Sequence, residues 1–443
     1  MNKDEPVPSP IDDFLNLHPE ITRVHAIFSD MNGVLRGKWL PRAAADKIGT
    51  GGVRLPVSTS ALDMWGHDVD GSGLGIISGD KDGIGVPIWE TLAPVPWEPA
   101  PTAQIMMTLE TADGAASPYE ARNLLAAVQE RYAARGLTPV VATELEFFLL
   151  ADGAIPPRPP AQSEHSHLYD FGVMEAHQPF LDDVIAACAV QNLPADVVIA
   201  ESGLGQFEIN FNHQPDALRA ADHAVLFRRL VRGVARKHGM AATFMAKPYG
   251  GDAGSGMHVH ASILGPDGAN IFAADPAALA HAVAGQLESL QALQLVFAPH
   301  LNSYRRFDTE GFAPVAANWG YDHRAAAVRI PERAGPAARF EHRVAGADVN
   351  PYLAIAAILA GALDGLNRKA DPGPAIEDGG APGKGALTWD WLTAVDHFQN
   401  SDATADLLIP EFARVFGIVK RFECQEFARI ITAAEYDTFL GRL

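Results

Sequence analysis

One stretch, Thr143-Glu144-Leu145-Glu146-Phe147-Phe148-Leu149-Leu150, constrains this chain more than any other. It is an apolar, β-favouring run that carries two carboxylates at i and i+2. On a strand such residues share a face, roughly 7 Å apart. Two like charges among Val140, Val141, Phe147 and Leu149 repel each other and are expensive to desolvate. A cation between them removes the conflict; a solvated sheet face is the plain alternative.

Three later segments weigh on the side of the cation. In Gly205-Gln206-Phe207-Glu208-Ile209-Asn210-Phe211, the residues Phe207, Ile209 and Phe211 take one face and Gln206, Glu208 and Asn210 the other, with Glu201 seven residues before Glu208. Gly256-Met257-His258-Val259-His260-Ala261-Ser262-Ile263 sets Met257, Val259 and Ile263 against His258, His260 and Ser262. Ala338-Arg339-Phe340-Glu341-His342-Arg343-Val344 puts Arg339, Glu341 and Arg343 together. Each has the two-residue period of a half-buried strand. Four such strands predict one sheet with an apolar back and a front of Glu, His and Arg. His342 falls on the apolar side and reads as packing. Carboxylates with one or two imidazoles suit Mg²⁺ or Mn²⁺. Arginine pairs suit phosphate. Metal and phosphate on one sheet point to phosphoryl chemistry.

At 443 residues the chain has room for two domains and a large core. Its 34 Lys and Arg against 54 Asp and Glu give a formal charge of −20, which argues against nucleic acid as a partner. Cys188 and Cys424 form no disulfide framework or thiolate metal pattern, so a reducing cytoplasm is expected. No window approaches a membrane span and no apolar leader opens the chain.

Val24–Asp30 with Gly33–Lys38 reads as a hairpin, Val95–Pro101 as an inter-domain connection, and Ile105–Leu109 as a strand. Ser117-Pro118-Tyr119-Glu120 reads as a capped helix start, with Ser117 at the N-cap and Glu120 closing a capping box. Tyr352–Leu366 reads as an apolar helix. Phe422–Leu443 reads as a helix pair with Phe427, Ile430 and Ile431 inward. His165, His167 and His177 follow a proline-rich stretch and read as loop histidines.

The motifs together, in this order, resemble the glutamine synthetase family. They are Glu144-Leu145-Glu146, Glu201 with Gly205-Gln206-Phe207-Glu208, Lys247-Pro248, Gly254-Ser255-Gly256-Met257-His258-Val259-His260, Asn302-Ser303-Tyr304-Arg305-Arg306, Arg324 with Arg329-Ile330-Pro331, Arg339-Phe340-Glu341-His342-Arg343 and Asn350-Pro351-Tyr352. The resemblance covers the chain from about Ile21 onward. It implies an α+β fold: a small N-terminal β-grasp domain (1–110) and a large α/β catalytic domain (111–443) whose antiparallel sheet lines the active site. It also implies homo-oligomers, commonly dodecamers, with active sites between subunits.

The resemblance implies site roles residue by residue. Glu146, Glu201 and Glu208 hold one divalent ion and Glu144, His258 and Glu341 a second, which bridges ATP phosphates. Arg324, Arg339 and Arg343 serve the transferred phosphoryl group, and Arg329 the nucleotide phosphates. His260 and Ser262 lie where the nucleotide sits. Arg306 clamps the α-carboxylate of L-glutamate and Gly254 contacts that substrate. Arg305 reads as a surface residue. His258-Val259-His260 also resembles the amidohydrolase His-x-His, but it follows Glu-rich strands in mid-chain rather than opening a barrel.

The chain departs from ammonia-using members in its nucleophile half. Where their flap reads Gly-Tyr-Glu-Ala-Pro, this chain has Glu310-Gly311-Phe312-Ala313-Pro314, so Phe312 replaces the Glu. Ala253 replaces an Asn, and Ala61–Asp68 stands where an N-domain Phe-Asp-Gly-Ser-Ser loop is expected. This pattern resembles the branch that joins glutamate to polyamines, ethanolamine or alkylamines. Asp63 and Glu310 are the carboxylates expected to take the amine's proton. An ammonia-using enzyme and a catalytically inactive scaffold are the alternatives.

Overall fold

The computed structural model describes residues 9–163, 167–308, 312–376 and 385–443. They form a mixed α/β protein with two sheets. The first holds β1 (Arg23–Ser29), β2 (Leu35–Pro41), β3 (Arg54–Pro56), β4 (Asp82–Pro94) and β5 (Thr102–Glu110), in the order β2-β1-β5-β4-β3. β1 runs parallel to β5, and the other pairs are antiparallel. The second holds β6 (Thr138–Leu150), β7 (Ala195–Ala200), β8 (Gln206–Phe211), β9 (Ala241–Thr243), β10 (Met257–Leu264), β11 (Trp319–Tyr321), β12 (Val328–Glu332) and β13 (Arg339–His342). Its order is β11-β12-β13-β10-β6-β8-β7, with β9 beside β6. The four strands with polar fronts, β13, β10, β6 and β8, are therefore consecutive neighbours.

Their apolar backs meet a helical layer. Phe147 packs edge-on against Phe227 of the Ala217–Lys237 helix, with ring centroids 6.1 Å apart. His342 lies on this side too, 4.4 Å from the ring of Phe297. The Ala217–Lys237 helix starts where Asp216 accepts from the Leu218 and Arg219 amides and ends on Arg236 and Lys237. Both ends thus suit its dipole. Behind it, the Pro276–Phe297 and Pro351–Arg368 helices approach backbone to backbone. A Cβ on Gly285 would sit 2.1 Å from the Gly361 carbonyl oxygen, so only glycine fits there. No described helix is long and apolar enough to cross a membrane.

Four sequence expectations need correction. Val95–Pro101 does not connect domains; the strands on either side of it, β4 and β5, pair with each other. Trp97 in this turn is buried against Gly233, where a Cβ would lie 2.3 Å from the indole nitrogen. The helix expected from Ser117 begins at Ala121. Glu120, instead of closing a capping box, turns back to accept from Thr108 Oγ1 (2.6 Å) and the Leu109 amide (2.8 Å). At the C-terminus Phe427 packs on Trp65, but Ile430 and Ile431 are exposed and the Ala433–Phe439 helix buries nothing. His177 is no loop residue: it is buried and its Nε2 lies 2.8 Å from Ser163 Oγ. His165 lies outside the described residues.

Glu120 is wholly buried where the first sheet meets the Ala121–Ala133 helix. Burial pushes its carboxyl up to about 7, against the hydrogen bonds from Thr108 and Leu109 and the charge of Arg122, with Asp222 adding to the rise. The folded protein therefore binds a proton that the unfolded chain has lost, and Glu120 becomes steadily less favourable as pH rises from 4.5 to about 7. Glu120→Gln keeps an acceptor and cannot ionise. Its Tm relative to the parent should rise between about pH 5 and about pH 8. A flat difference across that range would show that the fold does not shift the titration of Glu120.

Candidate active site

The strand register assembles the polar front. Glu144 lies opposite His258 on β10 and opposite Asn210 on β8. Glu146 faces Glu208. His260 faces Glu341, and Glu341 faces Arg329 on β12. Direct cross-strand partners share a face, so these side chains converge on one surface. Glu201 follows β7, where its amide donates to the Gln206 carbonyl at 2.9 Å.

Glu144 is the centre of the cluster. Its Oε2 lies 3.0 Å from His258 Nδ1 and its Oε1 2.8 Å from His260 Nε2. His258 Nδ1 is also 3.7 Å from Glu341 Oε1, and its Nε2 is 3.9 Å from Glu146 Oε1. Glu341 is wholly buried; it accepts from Arg329 Nη1 at 2.6 Å and from Arg343 Nη1. Arg339 Nε approaches His260 Nδ1 at 3.3 Å. Arg343 Nε donates to the Arg324 carbonyl, while the Arg324 side chain is exposed. Ser262 is buried one alternation beyond His260 on the same strand.

The electrostatics divide this face. Burial raises Glu144, but the hydrogen bonds from His258 and His260 outweigh it and hold the carboxyl below its ordinary range. Burial likewise raises Glu341, and His258 and Arg343 bring it below. On the other side burial prevails over the opposing charges. Burial pushes Glu146 up to about 7, with Glu201 adding and Arg306 opposing. Glu208 is driven well up by burial and then by Glu144, Glu146 and Glu201. Burial and the nearby Arg343 hold His258 down to about 4, so its imidazole is neutral, the form that binds metal.

This donor set fits divalent cations. Glu144, Glu208 and His258 each offer a ligand atom within 4.8 Å of the others, and so do Glu144, His260 and Glu341. These groupings differ in detail from the two sets that the family resemblance implies: His260 joins the second group, and Glu208 stands with Glu144 and His258.

Two neighbours were visible as polar-face residues but had been given no role. Gln206 Nε2 donates to Glu146 Oε2 (3.2 Å) and to the Gly254 carbonyl (3.0 Å). Asn210 Nδ2 reaches Glu144 Oε1 at 3.5 Å. Both orient carboxylates, and their strict alternation with Phe207 and Ile209 was the available signal. Arg306 is buried behind Gly254 and Gly256. A Cβ on Gly254 would meet Arg306 Cγ at 2.8 Å, and one on Gly256 would meet its Nη2 at 2.6 Å. Arg305 is exposed, as its sequence position suggests.

The nucleophile half is less assembled. Phe312 is 70 % exposed. Glu310 lies outside the described residues. Asp63 is fully buried: its Oδ1 accepts from the Trp65 (2.9 Å) and His67 (2.8 Å) amides, which shapes its own turn, and its Oδ2 has no hydrogen-bond partner within the described residues.

The family described as glutamine synthetase, catalytic domain, matches residues 118–439. The chain is 36% identical over 441 residues to the gamma-glutamylputrescine synthetase PuuA of Escherichia coli (strain K12), covering 96% of this chain and 93% of that protein. It is 34% identical over 388 residues to a glutamate–isopropylamine ligase of a Pseudomonas species, covering 81% of each. The solved structure of GmaS with ADP superposes with a TM-score of 0.85 at 27% identity, covering 98% of this chain and 100% of that one.

The raised carboxylates make a specific prediction. Above neutral pH without metal, Glu208 repels its neighbours. Glu208→Gln should therefore raise the Tm of the EDTA-treated protein and remove most of the Tm gain that Mg²⁺ or Mn²⁺ brings to the parent. Turnover should fall by at least about 100-fold, the scale on which disturbed metal sites fail. Full activity after EDTA dialysis, or in the variant, would refute the metal assignment.

Proposed function

The chain belongs to the glutamine synthetase family, and from that premise we propose that it joins the γ-carboxylate of L-glutamate to an organic amine, with ATP converted to ADP and phosphate. It is a ligase that forms a C–N bond. The observation that carries the amine reading is Phe312 in the place of the flap carboxylate. The names of both curated relatives support it, one denoting a γ-glutamylputrescine synthetase and the other a glutamate–isopropylamine ligase.

The chemistry runs in two steps. A γ-carboxylate oxygen of glutamate attacks the γ-phosphorus of ATP, ADP leaves, and γ-glutamyl phosphate forms. The neutral amine then attacks the acyl carbon, phosphate leaves with the C–O electron pair, and the amine nitrogen gives up a proton. The first step brings anion to anion, so charge must be neutralised. Glu144, Glu146, Glu201, Glu208, His258 and Glu341 would hold Mg²⁺ or Mn²⁺, which when bound supplies part of that neutralisation. Arg324, Arg339 and Arg343 take the transferring group, and Arg329 the nucleotide phosphates. His260 and Ser262 flank the nucleotide. Arg306 receives the α-carboxylate of glutamate beside Gly254, where the glycine leaves room for a close approach.

An organic amine has a pKa near that of lysine, about 10, so it arrives protonated. An exposed aromatic ring at Phe312 suits an alkylammonium better than a bare ammonium ion. In this reading residues 1–110 are a β-grasp domain and 111–443 the catalytic domain. The strand order of the first sheet, with parallel β1 and β5 at its centre, supports that division. The active assembly is a homo-oligomer, a dodecamer by family resemblance.

Two measurements test the reading. Arg306→Ala should raise the KM for glutamate by about ten-fold or more, with the KM for ATP little changed, since a charge-assisted hydrogen bond contributes about 1.5–3 kcal/mol. An equal rise for ATP would show that Arg306 is misassigned. Amine-dependent phosphate release should be compared for ammonium, methylamine, ethanolamine, putrescine, spermidine and aniline. One of the organic amines should give the highest kcat/KM. If ammonium does, the protein is an ammonia-using glutamine synthetase; if no amine stimulates release while ATP and glutamate bind, it is an inactive scaffold.

A further inference from the structure

Behind the polar front lies a buried carboxylate with no part in metal binding. Asp348 follows β13, just before the Pro351–Arg368 helix. Its Oδ2 accepts from Ser303 Oγ at 2.6 Å, while its buried Oδ1 has no partner. The charged groups that face it are Arg228 and Arg306. Oδ1 packs onto Gly346, where a Cβ would fall 2.5 Å away.

Ser303 belongs to the 3-10 turn Leu301–Arg305, which delivers Arg306. Its Oγ also accepts from the His300 amide at 3.1 Å, so one hydroxyl ties the start of the turn to Asp348. The chain that carries Asp348 also grips the Arg306 guanidinium: Nη1 donates to the Val344 carbonyl (2.9 Å) and Nη2 to the Arg343 carbonyl (3.3 Å). Residues 343–348 therefore hold Arg306 at two points, the guanidinium through backbone carbonyls and the turn through Asp348. Arg343 in turn contacts Glu341.

We infer that Asp348 is a positioning residue for the glutamate substrate: through Ser303 it fixes the turn that aims the Arg306 guanidinium. The inference rests on the reading of Arg306 as the glutamate clamp. A polar pair that served stability alone would lower Tm on substitution and leave the two substrates equally affected. A positioning pair separates them, because a buried donor that swings out of line weakens one charge-assisted contact.

The test uses Asp348→Asn, Ser303→Ala and Ser303→Thr in the full-length enzyme, with glutamate and ATP varied separately and Tm recorded. Ser303→Ala, which removes the donor, should raise the KM for glutamate by about ten-fold, and Asp348→Asn, which keeps an acceptor but loses the charge, should raise it by a smaller factor of about three or more, with the KM for ATP within about two-fold in both. Ser303→Thr, which retains the hydroxyl, should stay near the parent. The Asp348→Asn/Ser303→Ala double variant should be no worse than the poorer single one, since both act through one contact. Should Asp348→Asn fail to fold, Ser303→Ala against Ser303→Thr decides alone. Parallel rises for both substrates, unchanged glutamate KM in the folded single variants, or additive effects would overturn the inference. If Arg306→Ala itself spares glutamate, the clamp reading fails and this inference with it. If Arg306→Ala behaves as expected and the Ser303 and Asp348 variants do not, only the positioning role is lost.

Discussion

Everything in this protein depends on holding several carboxylates on one face of a sheet whose other face is a hydrophobic core. The register of β6 does this. Leu145 and Phe147 pair with Met257 and Phe207 on the back, while Glu144 and Glu146 pair with His258 and Glu208 on the front. A slip of one residue would bury the acids and expose the rings. The apolar back thus supplies the force that keeps like charges together, and the repulsion left over is what a cation relieves.

That repulsion is unevenly shared. Glu341 sits between Arg329 and Arg343, and Glu144 between two imidazoles, so both are held as carboxylates by the protein alone. At Glu146 burial outweighs the opposing charges of Arg306 and Arg343, and at Glu208 that of Arg343. One end of the face is already neutralised by guanidinium groups and the other still requires added positive charge. A reaction in which an anionic carboxylate meets an anionic phosphate needs both kinds of neutralisation, and β10, with His258 and His260, lies between the two ends.

The parts legible in the sequence were those set by local periodicity. Strict alternation at Gln206–Phe211 and Met257–Ile263 assigned each side chain to a face, and a face assignment survives folding whatever the strand order. Even His342, a histidine among ligands, could be placed on the apolar side and is found against Phe297. What the sequence hid depends on distant partners. Ser-Pro-x-Glu signals a capped helix, but Thr108 and Leu109 capture Glu120. The proline-rich Val95–Pro101 looks like a linker, yet Trp97 finds the gap at Gly233 more than a hundred residues later in the chain. In both cases the local signal was real and a contact from another element prevailed.

The same contrast bears on how the choice of nucleophile can change while the rest persists. Most of the residues that would bind ATP, metal and glutamate project from paired strands or, like Arg306, are clamped by backbone carbonyls, so their neighbours over-determine them. Phe312 is different. It stands exposed in a segment between the Leu301–Arg305 turn and β11, with no ladder to satisfy. A substitution there alters the chemistry of an entrance without shifting a strand, whereas one at Glu144 disturbs three cross-strand partners at once. Loops on a rigid scaffold tolerate such exchange because few contacts depend on them. The departures of this chain from the ammonia-using pattern, at Phe312, Ala253 and Ala61–Asp68, accordingly fall outside the paired strands of the second sheet.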